Sequence, residues 1–214
     1  DILLYTGSAP GNMSGYVYNL FPNIKYILVD PNDHNLFLGT DDDYLTKTYN
    51  FKESKHMYEH SDQIVYLYDN GIIKSTTLDY SANIYDFKND KIHKLDRNVD
   101  AALIKSIMKT NIFSKKYAAN IRKLITTSNY NFFIIQDFFT NDMAEVFHDI
   151  LKGTNFAYTS DIRSKNEDSI DYEVFWNLAQ QYIWTKVINP PVYKLKFRIP
   201  FQGSLDLGVI RDYM

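Results

Sequence analysis

The chain has 214 residues, 45% hydrophobic and 23% charged, a length and balance that suit one large globular domain or one domain carrying a long insertion. Its net charge of −3 excludes a histone-type polyanion binder, and the absence of cysteine excludes disulfides, Cys-based zinc sites and thiol nucleophiles. No apolar run approaches the roughly 20 residues of a membrane-spanning helix, and Asp1–Tyr5 lacks the cationic start of a signal peptide. The chain opens without Met inside an apparent strand, which predicts a fragment of a longer protein. The 18 Tyr and 14 Phe fit either a biased genome or an aromatic surface for stacking bases.

Ile2 to Thr6 is a short apolar run suited to a buried parallel strand. Gly7-Ser8-Ala9-Pro10-Gly11 follows, then a segment to Phe21 in which Met13, Tyr16, Val17 and Leu20 recur at helical spacing. Asn12 or Ser14 can cap that helix, and Pro22 marks its end. Lys25 to Val29 reads as a second buried strand, closed by Asp30-Pro31-Asn32-Asp33. Strand, glycine turn, helix, strand and acid make a βαβ unit.

The stretch from 41 to 129 reads as an insertion between the second and third strands, with a hairpin expected near Asp69-Asn70-Gly71 and a helical pattern over Ala101–Met108 and Ile121–Ile125. Regularity returns with a strand at Phe132–Gln136, a helix at Asn141–Leu151 stopped by Gly153, and a strand at Phe156–Thr159. A longer helix over Ile170–Val187 ends before Asn189-Pro190-Pro191, and Tyr193–Ile199 reads as a last strand. The alternation predicts an α/β fold with a mostly parallel sheet, a single domain whose core is 1–40 and 130–201.

Three features could carry chemistry. Gly7 and Gly11 permit a tight turn and close approach of a ligand to the backbone, and Asp30 at the tip of the second strand can accept hydrogen bonds from ribose hydroxyls. The spacing is not that of a dinucleotide G-x-G-x-x-G loop, and a plain turn with a capping Asp would look the same. Asp161 stands at the tip of a later strand, either facing the same crevice or pairing locally with Arg163. Val174 to Leu205 holds no acid but contains Lys186, Lys194, Lys196 and Arg198. On a strand, Lys194, Lys196 and Arg198 share one face, as an RNA groove or a lysine-guarded edge would require. The five histidines form no convincing metal site, and His56 and His60 read as a solvated helix face.

Together these segments resemble a known family. Tyr5-Thr6-Gly7-Ser8-Ala9-Pro10-Gly11 is similar to the first motif of the FtsJ-like RNA ribose methyltransferases. Within them, Ser160-Asp161-Ile162-Arg163-Ser164-Lys165, Ile188-Asn189-Pro190 and Leu195 to Phe201 resemble segments of the poxvirus family of cap-specific mRNA 2′-O-methyltransferases and poly(A) polymerase small subunits. The resemblance covers residues 1 to about 38 and 132 to 201.

It implies a Rossmann-like fold binding S-adenosyl-L-methionine, with Tyr5, Gly7, Ser8, Ala9, Pro10 and Gly11 bordering its methionine and ribose parts. Asp30 would hold the ribose, Phe139 would lie near the adenine, and Asp161 would sit close to the methyl donor. Of the family's Lys-Asp-Lys-Glu tetrad, Asp161 matches the Asp and Lys196 the second Lys, which takes the proton from the ribose 2′-hydroxyl. The first Lys and the final Glu have no counterpart, the last glutamate being Glu173, and Asn32 replaces an arginine of the relatives. Arg163, Lys194 and Arg198 would contact RNA. The implied partners are capped mRNA and a poly(A) polymerase catalytic subunit, in host cytoplasm or virion. The same resemblance admits a catalytically degraded subunit that stimulates a viral polymerase, and a weaker alternative is methylation of a base.

Overall fold

Alternation of side chains along five-residue strands decides how this molecule is layered. The structure, a computed structural model, describes residues 1–9, 11, 14–32, 34, 63–69, 82–95, 114–163 and 170–197. Along β1 (Ile2–Thr6), β2 (Lys25–Val29) and β6 (Phe132–Gln136), Leu4, Ile27, Val29, Phe133 and Ile135 point into one apolar cluster, while Tyr26, Leu28, Phe132 and Ile134 point into another on the opposite face. Both faces of the central strands are therefore dry, as a parallel sheet flanked by helices requires.

The eight described strands form one sheet in the order β5-β4-β3-β6-β2-β1-β7-β8. Here β3 is Ile64–Asp69, β4 Ala82–Asp86, β5 Lys91–Leu95, β7 Phe156–Ser160 and β8 Val192–Leu195. All pairings are parallel except β4 with β5. Helix α1 (Ser14–Leu20) packs Val17 and Tyr18 on one face. Helices α2 (Ala118–Thr127), α3 (Asn141–Leu151) and α4 (Ile170–Ile188) cover the other, through Ile121 and Ile125, Val146 and Phe147, and Trp184 and Ile188. The architecture is α/β, with a mostly parallel sheet compatible with a Rossmann-like fold.

The third and fourth strands expected from sequence, β6 and β7, flank the β2–β1 pair on its two sides. The 41–129 stretch adds β3, β4 and β5 to the far edge of the same sheet, beyond β6. Asn70 and Gly71 of the expected hairpin lie outside the described residues, as do Ala101–Met108, His56 and His60. The antiparallel hairpin that is described comes one element later, between β4 and β5. Its turn at Phe87–Asp90 places Asp90 at φ 50° without a glycine. Two ends match their sequence signals: Thr140 accepts the Met143 N–H as N-cap of α3, and Gly153 follows the Lys152 C-cap at φ 79°.

Candidate functional site

Parallel strands bring all their carboxyl ends to one edge, and the described site candidates lie at or just beyond the ends of β1, β2, β6, β7 and β8. The chain leaves β1 towards β2 on one side, while β7 lies on the other, so β1 borders the switch point at which open α/β sheets leave a crevice. A cleft of about 1240 Å³ opens there. Its walls are Gly7, Ser8, Ala9 and Gly11 from the first loop, Asp30 and Asn32 after β2, Phe138 and Phe139 after β6, Asp161 and Arg163 after β7, and Lys196 after β8. Helix α4 closes it with Glu173, Asn177 and Gln181, which recur at helical spacing on one side.

The glycine loop is tied down by its neighbours. Gly7 N–H donates to Val29 O at 2.9 Å, and the Asp161 N–H donates to Thr6 O at 2.9 Å. Gly7 has φ +73°, and a Cβ there would stand 2.6 Å from the carbonyl carbon and oxygen of Asp161. The requirement for glycine at this position thus comes from the protein's own backbone leaving β7. Ser8 is buried, its Oγ 2.7 Å from His34 Nε2, a contact across the βαβ unit that no local sequence pattern signals. Pro10 lies outside the described residues.

Asp30 is only 8% exposed and is already engaged. Its Oδ2 accepts Ala9 N–H at 3.2 Å, and its Oδ1 accepts the backbone and side-chain N–H groups of Asn32 at 2.9 and 2.8 Å. A carboxylate offers about four lone-pair sites, so one further donor can be accepted without displacing these. Tyr5 lines the cleft, and burial, then the negative charges of Asp161 and Asp30, push its hydroxyl above its ordinary value.

Asp161 pairs with Lys196 Nζ, in place of the local pairing with Arg163 that the sequence left open; Arg163 is exposed at the cleft wall. The two side chains are 43% and 29% exposed, so the pair reaches solvent through the cleft. Strand β8 ends at Leu195, short of the expected Ile199, and this breaks the predicted cationic face. Lys194 stays exposed opposite Thr159 and outside the cleft wall, Lys196 turns inward, and Arg198 lies outside the described residues.

The aromatic pair after β6 divides its work. Phe139 is 9% exposed and packs edge-on against Trp184 at 4.8 Å and stacked against Phe147 at 5.9 Å, so it forms the floor. Phe138 is 70% exposed and is the ring offered to the cleft. Among the described residues no three His, Asp or Glu side chains gather as a metal site, and no helix is long and apolar enough to cross a membrane.

An enclosed glycine loop, an acid with spare acceptor capacity, an exposed ring and a carboxylate–ammonium pair suit a nucleoside-bearing ligand with a polar reaction centre at the β7–β8 end. Compared with known proteins, the chain matches no family model and no curated sequence.

Proposed function

We propose that this protein is an S-adenosyl-L-methionine-dependent RNA methyltransferase that modifies a ribose 2′-hydroxyl near the mRNA cap. The observation that carries the reading is the convergence of the Gly7–Gly11 loop, Asp30 and the Asp161–Lys196 pair on one cleft at a sheet switch point. When bound, S-adenosyl-L-methionine supplies an electrophilic methyl group. Its nucleoside part fits Asp30 and the Phe138 ring, and its amino-acid part fits the loop beside Tyr5. Lys196 acts in its neutral amine form: its Nζ would take the proton leaving the ribose hydroxyl as that oxygen bonds to the methyl carbon and S-adenosylhomocysteine departs, and Asp161 orients the ammonium that results. Arg163, exposed at the mouth, meets the RNA phosphates. With both reactants held against fixed backbone, positioning supplies much of the rate.

Calorimetric titration of S-adenosylhomocysteine into the protein and its Asp30→Asn and Phe138→Ala variants tests the cofactor half. Micromolar binding weakened by both substitutions is expected, and no binding by folded protein would sink the proposal. Methyl transfer to capped RNA, abolished in Lys196→Ala, tests the chemistry. Cofactor binding without any transfer would favour the polymerase-stimulating subunit, and transfer indifferent to Lys196→Ala would favour a base as acceptor.

A further inference from the structure

We infer that Gln181 is the positioning residue that holds Lys196 against Asp161; the inference rests on the reading of Lys196 as the proton acceptor. Gln181 sits on the inner side of α4, 1% exposed, where an apolar side chain would pack as well. A buried amide is unfavourable unless its polar atoms are paired, and here they are divided between the backbone of Lys196 and a carbonyl of α4 itself. Its Oε1 shares the Lys196 N–H, at 3.2 Å, with Ser160 O at 2.9 Å in a three-centre bond. Its Nε2 donates to Asn177 O at 3.0 Å and reaches Lys196 O at 3.5 Å. The amide therefore grips both backbone groups of the residue that carries the amine.

That grip matters because little else fixes Lys196. The sheet ladder gives it one bond, from its N–H to Ser160 O at 2.9 Å, and β8 has already ended at Leu195. Phe197, the next residue, is exposed. An ion pair open to solvent contributes little and cannot by itself freeze a long, rotamer-rich lysine. Asp161 has the equivalent ladder bond to Thr6 O, and its backbone also packs closely on Gly7, so the separation between carboxylate and amine depends on how firmly the Lys196 backbone is held.

The test reads Lys196 directly, in intact protein whose lysines carry ¹³C-methyl groups, a label that keeps the positive charge. Lys196 is assigned by the resonance missing from Lys196→Arg. Asp161→Asn should move that resonance, and Gln181→Met, which matches the shape and removes the hydrogen bonds, should move it to the same place. Gln181→Glu, which keeps the acceptor for the Lys196 N–H, should lie between Gln181→Met and the wild type. Where transfer is measured, Gln181→Met should lower kcat by about 10²-fold with KM and S-adenosylhomocysteine affinity unchanged, as a displacement of roughly 1 Å would. A folded Gln181→Met protein with an unmoved Lys196 resonance overturns the inference, as does a resonance blind to Asp161→Asn. If neither Gln181 variant folds, Gln181 is a packing residue and the inference falls too. Absence of RNA methylation alongside the expected resonance shifts overturns the proposed function and leaves the positioning role standing.

Discussion

Replacing Gly7 with Ala should damage the protein more than its conformation alone predicts. Two costs can be separated because a second glycine shares only one of them. Gly7 and Gly153 both have positive φ, +73° and +79°, so alanine at either enters the left-handed region at about 1–2 kcal/mol. At Gly153 the new methyl meets nothing within 4 Å. At Gly7 it would lie 2.6 Å from Asp161 C and O and 2.7 Å from Ile162 N, all backbone atoms that cannot rotate aside. Forcing such a group into packed structure costs about 1–3 kcal/mol. Gly7→Ala should therefore lose about 2–5 kcal/mol, against about 1–2 for Gly153→Ala. Urea denaturation of both variants measures the difference. Equal losses would refute the argument that β7's exit from the sheet, and not turn geometry alone, demands glycine at this position.

Two further outcomes follow from the same geometry. Arg122 on α2 donates through Nε to Ile150 O at 2.7 Å and through Nη2 to Asp149 O, so Arg122→Met should cost about 1.5–3 kcal/mol by freeing carbonyls at the end of α3, and a thermal melt unchanged from wild type would contradict this. At the β4–β5 turn, burial pushes the Asp86 carboxyl up, but the Asn89 side chain, the Asn89 and Lys88 backbone and the His93 ring outweigh it and hold the group below the usual carboxylate range. A lowered folded value gives stability that is present above the unfolded value, about 3.9, and lost as pH falls through the folded one. The deficit of Asp86→Asn relative to wild type in denaturant titrations should thus be full at pH 7 and close in acid, and a deficit independent of pH would exclude the ionised carboxylate as its source.

Local pattern carried far where local forces decide. The bounds of β6 and α3 follow from an apolar run and from an amphipathic repeat with a Thr140 cap and a Gly153 stop, and the structure keeps both. The β4–β5 hairpin escaped notice because its positive-φ residue is Asp90, held by Tyr85 and Lys123, while the stronger Asn-Gly signal lay elsewhere. Nor can strand neighbours be read locally. That β3 pairs with β6, across an intervening stretch containing β4, β5 and α2, is settled by which faces must be buried together. Phe138 and Phe139 are equal in sequence, and only the packing of Trp184 and Phe147 decides which ring becomes floor. Lys194 and Lys196 part company because β8 stops at Leu195, where the chain meets Gln181 of another element, a contact that local pattern does not reveal.

The candidate site is coherent because its two halves meet at the β1–β7 pairing. One half is fixed to β1 and β2 through Gly7 and Asp30, and the other to β7 and β8 through Asp161 and Lys196. Between them, Thr6 Oγ1 donates to Ser160 Oγ at 2.9 Å and lies 3.2 Å from the Tyr158 hydroxyl, in a buried network one layer beneath the cleft. Burial raises the Tyr158 hydroxyl above its ordinary value, against the lowering by its bonds to Thr6 and Ser160. Such a network lowers the cost of buried hydroxyls only in the register that pairs Thr6 with Ser160. A slip of one residue between β1 and β7 would leave these groups unpaired and move Asp161 by about 3.3 Å along the strand. The distance from loop to ion pair is thus set by the same buried hydrogen bonds that make the parallel pairing unique.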